Sequence, residues 1–201
     1  MSQQGHCTGF YGPMFAGKSS RMLQMLNRVK HAPFSNRTCV VRYVKHARYS
    51  NEHVVTHDGM KMESISATKL TDVYSILKEY DNIGIDEAQF FTDAYMVINK
   101  LVNKYHKRVV FSALDTNYKG EPFGDVANLI GLCDHVEKLT SVCKACGNEN
   151  GIYSFLNESD VPQEDTPSKD GRIEVIGGDE KFHTACRNCF HAKKPRLTMS
   201  Q

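Results

Sequence analysis

Residues 12–19 read Gly12-Pro13-Met14-Phe15-Ala16-Gly17-Lys18-Ser19, and this stretch decides the fold. A glycine, four residues of any type and then Gly-Lys-Ser is the pattern of a phosphate-binding loop, or P-loop. A polyphosphate carries several negative charges. A glycine-rich loop lets successive backbone N–H groups converge on it, and the dipole of a following helix adds to the attraction. In this pattern Lys18 brings a mobile positive charge to the outer phosphates, and the Ser19 hydroxyl holds Mg²⁺. The flanks agree: residues 5–11 suit a strand, and Met22, Leu23, Met25, Leu26 and Val29 recur at helical spacing behind the loop. Pro33 is expected to close that helix.

Working outward, residues 38–43 (TCVVRY) form a β-branched strand candidate. Residues 44–60 are polar and rich in His and Asp, which predicts a loop. Ile83-Gly84-Ile85 is a short strand running into Asp86-Glu87. Ala94, Val97, Ile98, Leu101, Val102 and Tyr105 mark one apolar face of a helix. Residues 109–114 are a continuous apolar run, as in a buried parallel strand, and residues 135–139 alternate like another strand. Strands alternating with helices predict an α/β fold around a parallel sheet.

Asp86-Glu87 stands at a strand end, where the acidic site of a nucleotide-binding sheet is expected. Asp86 could order a Mg²⁺-bound water, and Glu87 could take a proton from an attacking hydroxyl or orient a water. Kinases and ATP-hydrolysing motors both place such a pair here, so the pair leaves that choice open. A guanine-type Asn-Lys-x-Asp signature is missing: Asn99-Lys100-Leu101-Val102 lacks its Asp.

The chain has 201 residues, with 25 Lys and Arg against 23 Asp and Glu, a net charge of +2. That balance excludes a strongly basic nucleic-acid coat and an acidic disordered tail protein. No apolar run reaches the roughly 18 residues of a spanning helix, and the first residues lack the pattern of a signal peptide. A cytoplasmic, reducing setting is therefore expected, with no membrane or nucleic-acid partner. The seven cysteines then need an explanation other than a disulfide framework. Cys143-Lys144-Ala145-Cys146 and Cys186-Arg187-Asn188-Cys189 are two C-x₂-C pairs, 40 residues apart (186 − 146). Four thiolates suit a closed, structural Zn²⁺ site, and Gly147 permits the tight turn it needs. A redox pair or disulfides are the competing readings. Cys7, Cys39 and Cys133 stand alone in apolar surroundings and read as buried small hydrophobes. His53, His57 and His183 fit no ligand spacing, and Phe90, Phe91, Tyr118 and Phe123 read first as core. The texture changes near residue 141, which divides the chain into a P-loop α/β domain over 1–140, a zinc-ribbon domain over 141–192 and a flexible tail over 193–201. Within the second, residues 157–172 read as a long mobile loop and 173–178 as a short strand.

Taken together, GPMFAGKS (12–19), THD (56–58), IDEAQFF (85–91), ALD (113–115), PFG (122–124), the two cysteine pairs and VIGG (175–178) occur in one order. This order resembles the zinc-containing, cytosolic-type thymidine kinase family over about residues 5–190. The resemblance implies a P-loop α/β domain with a small four-cysteine domain that carries a "lasso" over the nucleoside. It implies transfer of the ATP γ-phosphoryl group to the 5′-hydroxyl of thymidine, with Mg²⁺, and of deoxyuridine as well. Under it Glu87 is the catalytic base. Gly12, Pro13, Met14, Phe15, Ala16, Gly17, Lys18, Ser19, Asp58, Asp86 and Gln89 fall at ATP or metal positions. Met14, Phe91, Leu114, Tyr118 and Phe182 fall at the thymine pocket, with Ile173, Val175, Ile176 and Gly177 in the lasso. Cys143, Cys146, Cys186 and Cys189 fall at the structural zinc, and the family implies a homo-tetramer or homo-dimer. The chain departs from the family pattern at Phe182, where Tyr is usual. It departs again at Tyr153-Ser154-Phe155-Leu156, where a T-x-R signature lacks its arginine, leaving Arg172 or Lys169 as the substitutes.

Overall fold

The computed structural model describes residues 4–30, 37–44, 51–55, 61–156 and 181–193. Asp58, Ile173, Val175, Ile176 and Gly177 lie outside these residues, as do His57, Arg172, Lys169, Pro33 and the tail beyond 193. The lasso expectation as a whole therefore falls outside the description.

Strands β1 (His6–Tyr11), β2 (Thr38–Tyr43), β3 (Asn51–Val55), β4 (Lys61–Ala67), β5 (Asn82–Asp86), β6 (Arg108–Ala113) and β7 (His135–Lys138) form one sheet. Its order is β3-β4-β2-β5-β6-β1-β7. All neighbours run parallel except the edge pair β3 and β4. Helix α1 (Lys18–Lys30) covers one face, its Met22, Leu23 and Leu26 packing with Phe10, Val40 and Val110. On the other face lie α2 (Tyr74–Leu77), α3 (Ala94–Asn103) and α4 (Val126–Leu132), closing over Val41, Ile83, Ile85, Val109 and Phe111. A sheet buried on both faces explains why β2, β5 and β6 read as apolar runs rather than alternating ones.

The order of strands positions the site. The phosphate loop follows β1 and the acidic pair ends β5, yet these strands are not neighbours. Strand β6 lies between them, paired with β1 through Tyr11 and Ala113 and with β5 through Ile85 and Phe111. The C-terminal end of β6 therefore touches both halves of the site.

Two sequence expectations need correction. Residues 44–60 are not all loop, since Asn51–Val55 is the antiparallel edge strand β3. Its pairing to β4 supplies the ladder bonds that its polar composition did not advertise, a case of tertiary context overriding propensity. Nor do Cys7 and Cys133 stand alone. Their sulfurs lie 3.4 Å apart, Cys7 wholly buried on β1 and Cys133 half-buried after α4. The contact with the Cys133 thiol, and then burial, push the Cys7 pKa upward. Cys39 is buried as expected.

A second, two-stranded antiparallel sheet joins β8 (Tyr153–Leu156) and β9 (Phe182–Ala185), followed by α5 (Arg187–His191). Among the described residues no helix is long and apolar enough to cross a membrane.

Candidate active site

The loop has the conformations its sequence demands. Gly12 has φ +142°, and a Cβ there would stand 2.2 Å from the Leu139 carbonyl oxygen, so no side chain fits. Gly17 has φ +77°, the left-handed region that glycine enters without strain. Phe15, at φ 60°, adopts a left-handed conformation despite its side chain, which is half exposed. The loop is anchored to the sheet by the Gly12 N–H, which donates to the Ala113 carbonyl at 3.3 Å.

Lys18 is 6% exposed, and its Nζ donates to the Pro13 carbonyl at 2.6 Å. Burial lowers its pKa, against the opposing pull of Glu87, Asp86 and Asp115. The ammonium thus rests inside the loop on one neutral acceptor, in the field of three carboxylates. A bound polyphosphate would offer it a stronger partner.

On the other side, the Ser19 hydroxyl donates to Asp86 Oδ1 at 2.7 Å. The same oxygen accepts from the Ser112 hydroxyl. Glu87 leaves the strand in a left-handed conformation, φ 56° and ψ 46°, which costs on the order of 1 kcal/mol for a non-glycine residue. Its backbone N–H points to Ser112 Oγ at 3.4 Å. Its carboxylate accepts from Gln89 Nε2, while Gln89 Oε1 accepts from the Leu114 N–H at 3.0 Å. Burial, and then Asp86, push the Glu87 pKa above its ordinary value, with Lys18 and Gln89 pulling the other way. Met14, Phe15, Gly17, Lys18, Ser19, Ser20 and Glu87 together line a cavity of about 190 Å³. One cavity thus unites the phosphate loop with a carboxylate, and the Ser19–Asp86 hydroxyl–carboxylate pair suits a hard divalent cation.

The other expected site residues are distributed as follows. Asp86 is hydrogen-bonded to the loop. Gln89 is 1% exposed, its Nε2 donating to the Glu87 carboxylate and its Oε1 accepting from the Leu114 N–H. Leu114 and Tyr118, after β6, are half-buried. Phe91 is 1% exposed in the main core, edge-on to Tyr43. Of that pair Phe90 is the one with open surface, stacked on Tyr43 at 5.1 Å. Phe182 is buried in β9 opposite Leu156. Among the described residues Asp115 Oδ1 and Thr116 Oγ1 are buried without a hydrogen-bond partner, beside the 2.6 Å Lys138–Asp115 ion pair. Buried polar atoms without partners are rare and point to a ligand or water.

The cysteine pairs converge. All four Sγ atoms lie within 4.8 Å of one another, with Cys146 and Cys186 at 3.8 Å. A tetrahedron of sulfurs about 2.3 Å from one ion has edges of about 3.8 Å. The 40-residue gap is closed by the β8–β9 ladder and by the Lys144 N–H to Thr184 carbonyl bond of 2.8 Å. Gly147 turns the first pair at φ +75°, its N–H on the Cys143 carbonyl at 2.8 Å. Burial raises the Cys143 thiol, yet hydrogen bonds from Cys186, Ala145 and Cys146 outweigh it and bring it down to about 7. Burial and the neighbouring thiols push Cys189 up to about 12.

Ser112 and Ser154 escaped the sequence reading. Ser112 left one trace, a lone hydroxyl in the apolar run 109–114. Ser154 left none, since its role depends on a contact across 140 residues: its Oγ accepts the Met14 N–H of the phosphate loop at 2.9 Å. Ser154→Ala is expected to strand that donor at a cost of about 1–3 kcal/mol. The measurable result is a rise of about fivefold or more in the KM for ATP with kcat little changed. An unchanged KM would show that the loop holds its shape without this contact.

Comparison with known proteins agrees with this geometry. The sequence model of the family described as "TK: Thymidine kinase" matches residues 5–190. The chain is 36% identical to the cytosolic thymidine kinase of Gallus gallus over 198 residues, covering 98% of this chain and 82% of that one. It is 36% identical to the thymidine kinase of Sheeppox virus (strain KS-1), covering 89% and 93%, and 35% identical to the cytosolic enzyme of Homo sapiens, covering 94% and 75%. With a nearly full-length family match and relatives above 30% identity over most of their length, the chain belongs to the thymidine kinase family.

Proposed function

We propose that this chain transfers the γ-phosphoryl group of ATP to the 5′-hydroxyl of thymidine, and of deoxyuridine as well, giving ADP and the nucleoside monophosphate. The observation that carries the reading is the single cavity in which the P-loop residues Met14 to Ser20 meet Glu87. A motor needs only a water there; a family of nucleoside phosphotransferases makes the acceptor a sugar alcohol.

Phosphoryl transfer asks a protein for positioning and charge stabilisation. The loop N–H groups and Lys18 hold the donor's phosphates, Lys18 exchanging the Pro13 carbonyl for phosphate oxygen. Glu87 accepts the proton of the attacking hydroxyl, held in place by Gln89. Ser19 and Asp86 would hold Mg²⁺, which supplies positive charge to the transferring group. Cys143, Cys146, Cys186 and Cys189 would hold a structural Zn²⁺. Met14, Phe91, Leu114, Tyr118 and Phe182 form the base pocket. Asp58 serves the phosphates and metal, and Ile173, Val175, Ile176 and Gly177 close over the base through their backbone. Residues 1–140, 141–192 and 193–201 are catalytic domain, four-cysteine domain and tail. The enzyme works in the cytoplasm as a homo-tetramer or homo-dimer, with small-molecule substrates.

An ADP-release assay across the four deoxynucleosides tests this. Thymidine is expected to give the fastest release, with little in its absence. Equal ADP release without any nucleoside would overturn the reading in favour of a nucleotide hydrolase.

A further inference from the structure

We infer that Ser112 is a positioning residue for phosphoryl transfer, fixing both carboxylates of the site from the strand between them. The inference rests on the reading of Asp86 and Glu87 given above.

Ser112 is wholly buried, the one hydroxyl in an otherwise apolar β6 end. Burying a hydroxyl is unfavourable unless its hydrogen bonds are made. Here it makes two, and both go to the acidic pair. It donates to Asp86 Oδ1 and accepts, at 3.4 Å, from the Glu87 N–H. The parallel register that sets Ile85 beside Phe111 brings the next residues of each strand, Asp86 and Ser112, together. The contact is therefore fixed by the sheet and not by a flexible loop.

The consequences follow from the donor count. Asp86 Oδ1 receives one hydroxyl from Ser19, on the phosphate loop, and one from Ser112, on the sheet. Without Ser112 its orientation depends on Ser19 alone, the residue that must also face the cation. Outer partners of this kind set the orientation of metal-site groups, and their loss typically costs about 10–100-fold in metal affinity or activity. Glu87 is affected through its backbone. It leaves the ladder in a left-handed conformation, and Ser112 is the acceptor for its N–H at that bend. One hydroxyl thus ties the orientation of Asp86 to the bend that presents Glu87 to the cavity.

The test is Ser112→Ala in the full chain, a change that leaves the core volume nearly unaltered. Calorimetry of ADP binding with and without Mg²⁺ is the readout independent of turnover. The expected result is that the gain in ADP affinity from Mg²⁺ shrinks about 10-fold while affinity for ADP alone stays the same. Turnover is expected to fall about 10-fold at saturating Mg²⁺ with the thymidine KM unchanged. An unaltered Mg²⁺ effect, or equal loss of ADP affinity with and without Mg²⁺, would overturn the role of Ser112. Glu87→Gln assayed alongside separates the two ideas. Lost turnover there with a normal Mg²⁺ effect in Ser112→Ala rejects Ser112 alone. Retained turnover in Glu87→Gln rejects the assignment of the base, while a lost Mg²⁺ effect in Ser112→Ala still supports its hold on Asp86.

Discussion

Replacing Glu87 with Gln is expected to lower kcat by at least about 10²-fold while leaving the KM for ATP within about twofold. Glutamine keeps the size of the side chain and the capacity to accept from Gln89 Nε2, so only proton acceptance is lost. The pH profile gives the same test a second readout. Burial and Asp86 raise the Glu87 pKa above its ordinary value of 4.5. A general base works ionised, so kcat of the native enzyme should climb with pH along a limb displaced above that value, and the Gln variant should lack the limb. Stability should move the opposite way. With the folded pKa above the unfolded one, the unfolded chain releases its proton first as pH rises. The contribution of Glu87 is then fully present below the unfolded value and lost as pH rises through the folded value. Above the unfolded value Glu87 therefore costs stability, so Glu87→Gln should melt higher than the native protein at pH 7, the gap closing toward about pH 4. A variant that turns over at near-native rate removes Glu87 as the base. One that melts lower at pH 7 removes burial as the dominant influence on it.

What the sequence made legible were features with a local period or a fixed spacing. The phosphate loop, α1, β2, β5, α3 and β6 are all written in short runs, and each stands within a residue or two of its expected place. The four cysteines were legible because a metal site needs donor type and number more than it needs a particular chain path. What stayed hidden depends on pairing between distant segments. Strand β3 is polar and is held by β4, and β8 and β9 are four residues each and pair in a ladder with one another. The Cys7–Cys133 contact and the Ser154–Met14 bond link residues 126 and 140 positions apart, beyond the reach of any periodicity. Within the site, residue types were legible but their roles were not. Gln89 reads as one more polar residue near phosphates, and only the fold shows its amide donating to Glu87 and accepting from the Leu114 N–H. The Phe90-Phe91 pair reads as two equivalent rings, and only the backbone after Glu87 decides which is core and which retains a surface.

Loss of the four-cysteine metal should be the second large effect, and its reach should extend past the cysteines. Elemental analysis is expected to find one zinc per chain, and Cys186→Ser or a strong chelator to remove it. Structural zinc contributes on the order of 10 kcal/mol to the folding of small domains, more than a four-residue ladder and a five-residue helix supply by themselves. Both C-x₂-C pairs, β8, β9 and α5 should therefore lose their order together. Affinity for the metal should rise with pH, because Cys189, held up at about 12, enters the site protonated and must release its proton to bind. Hydrogen bonds hold the Cys143 thiol below its ordinary value, at about 7, so its ionisation opposes metal binding less. The consequence for catalysis runs through Ser154. It lies on β8, and its hydroxyl is the acceptor for the Met14 N–H in the phosphate loop. Zinc loss should then raise the KM for ATP as well as for thymidine, with the ATP effect at least as large as in Ser154→Ala. If zinc-free protein, reduced throughout, keeps native KM values for both substrates, then the four-cysteine unit folds without metal or the loop does not depend on it. Circular dichroism of the same sample would tell which, since only the second leaves β8 unfolded.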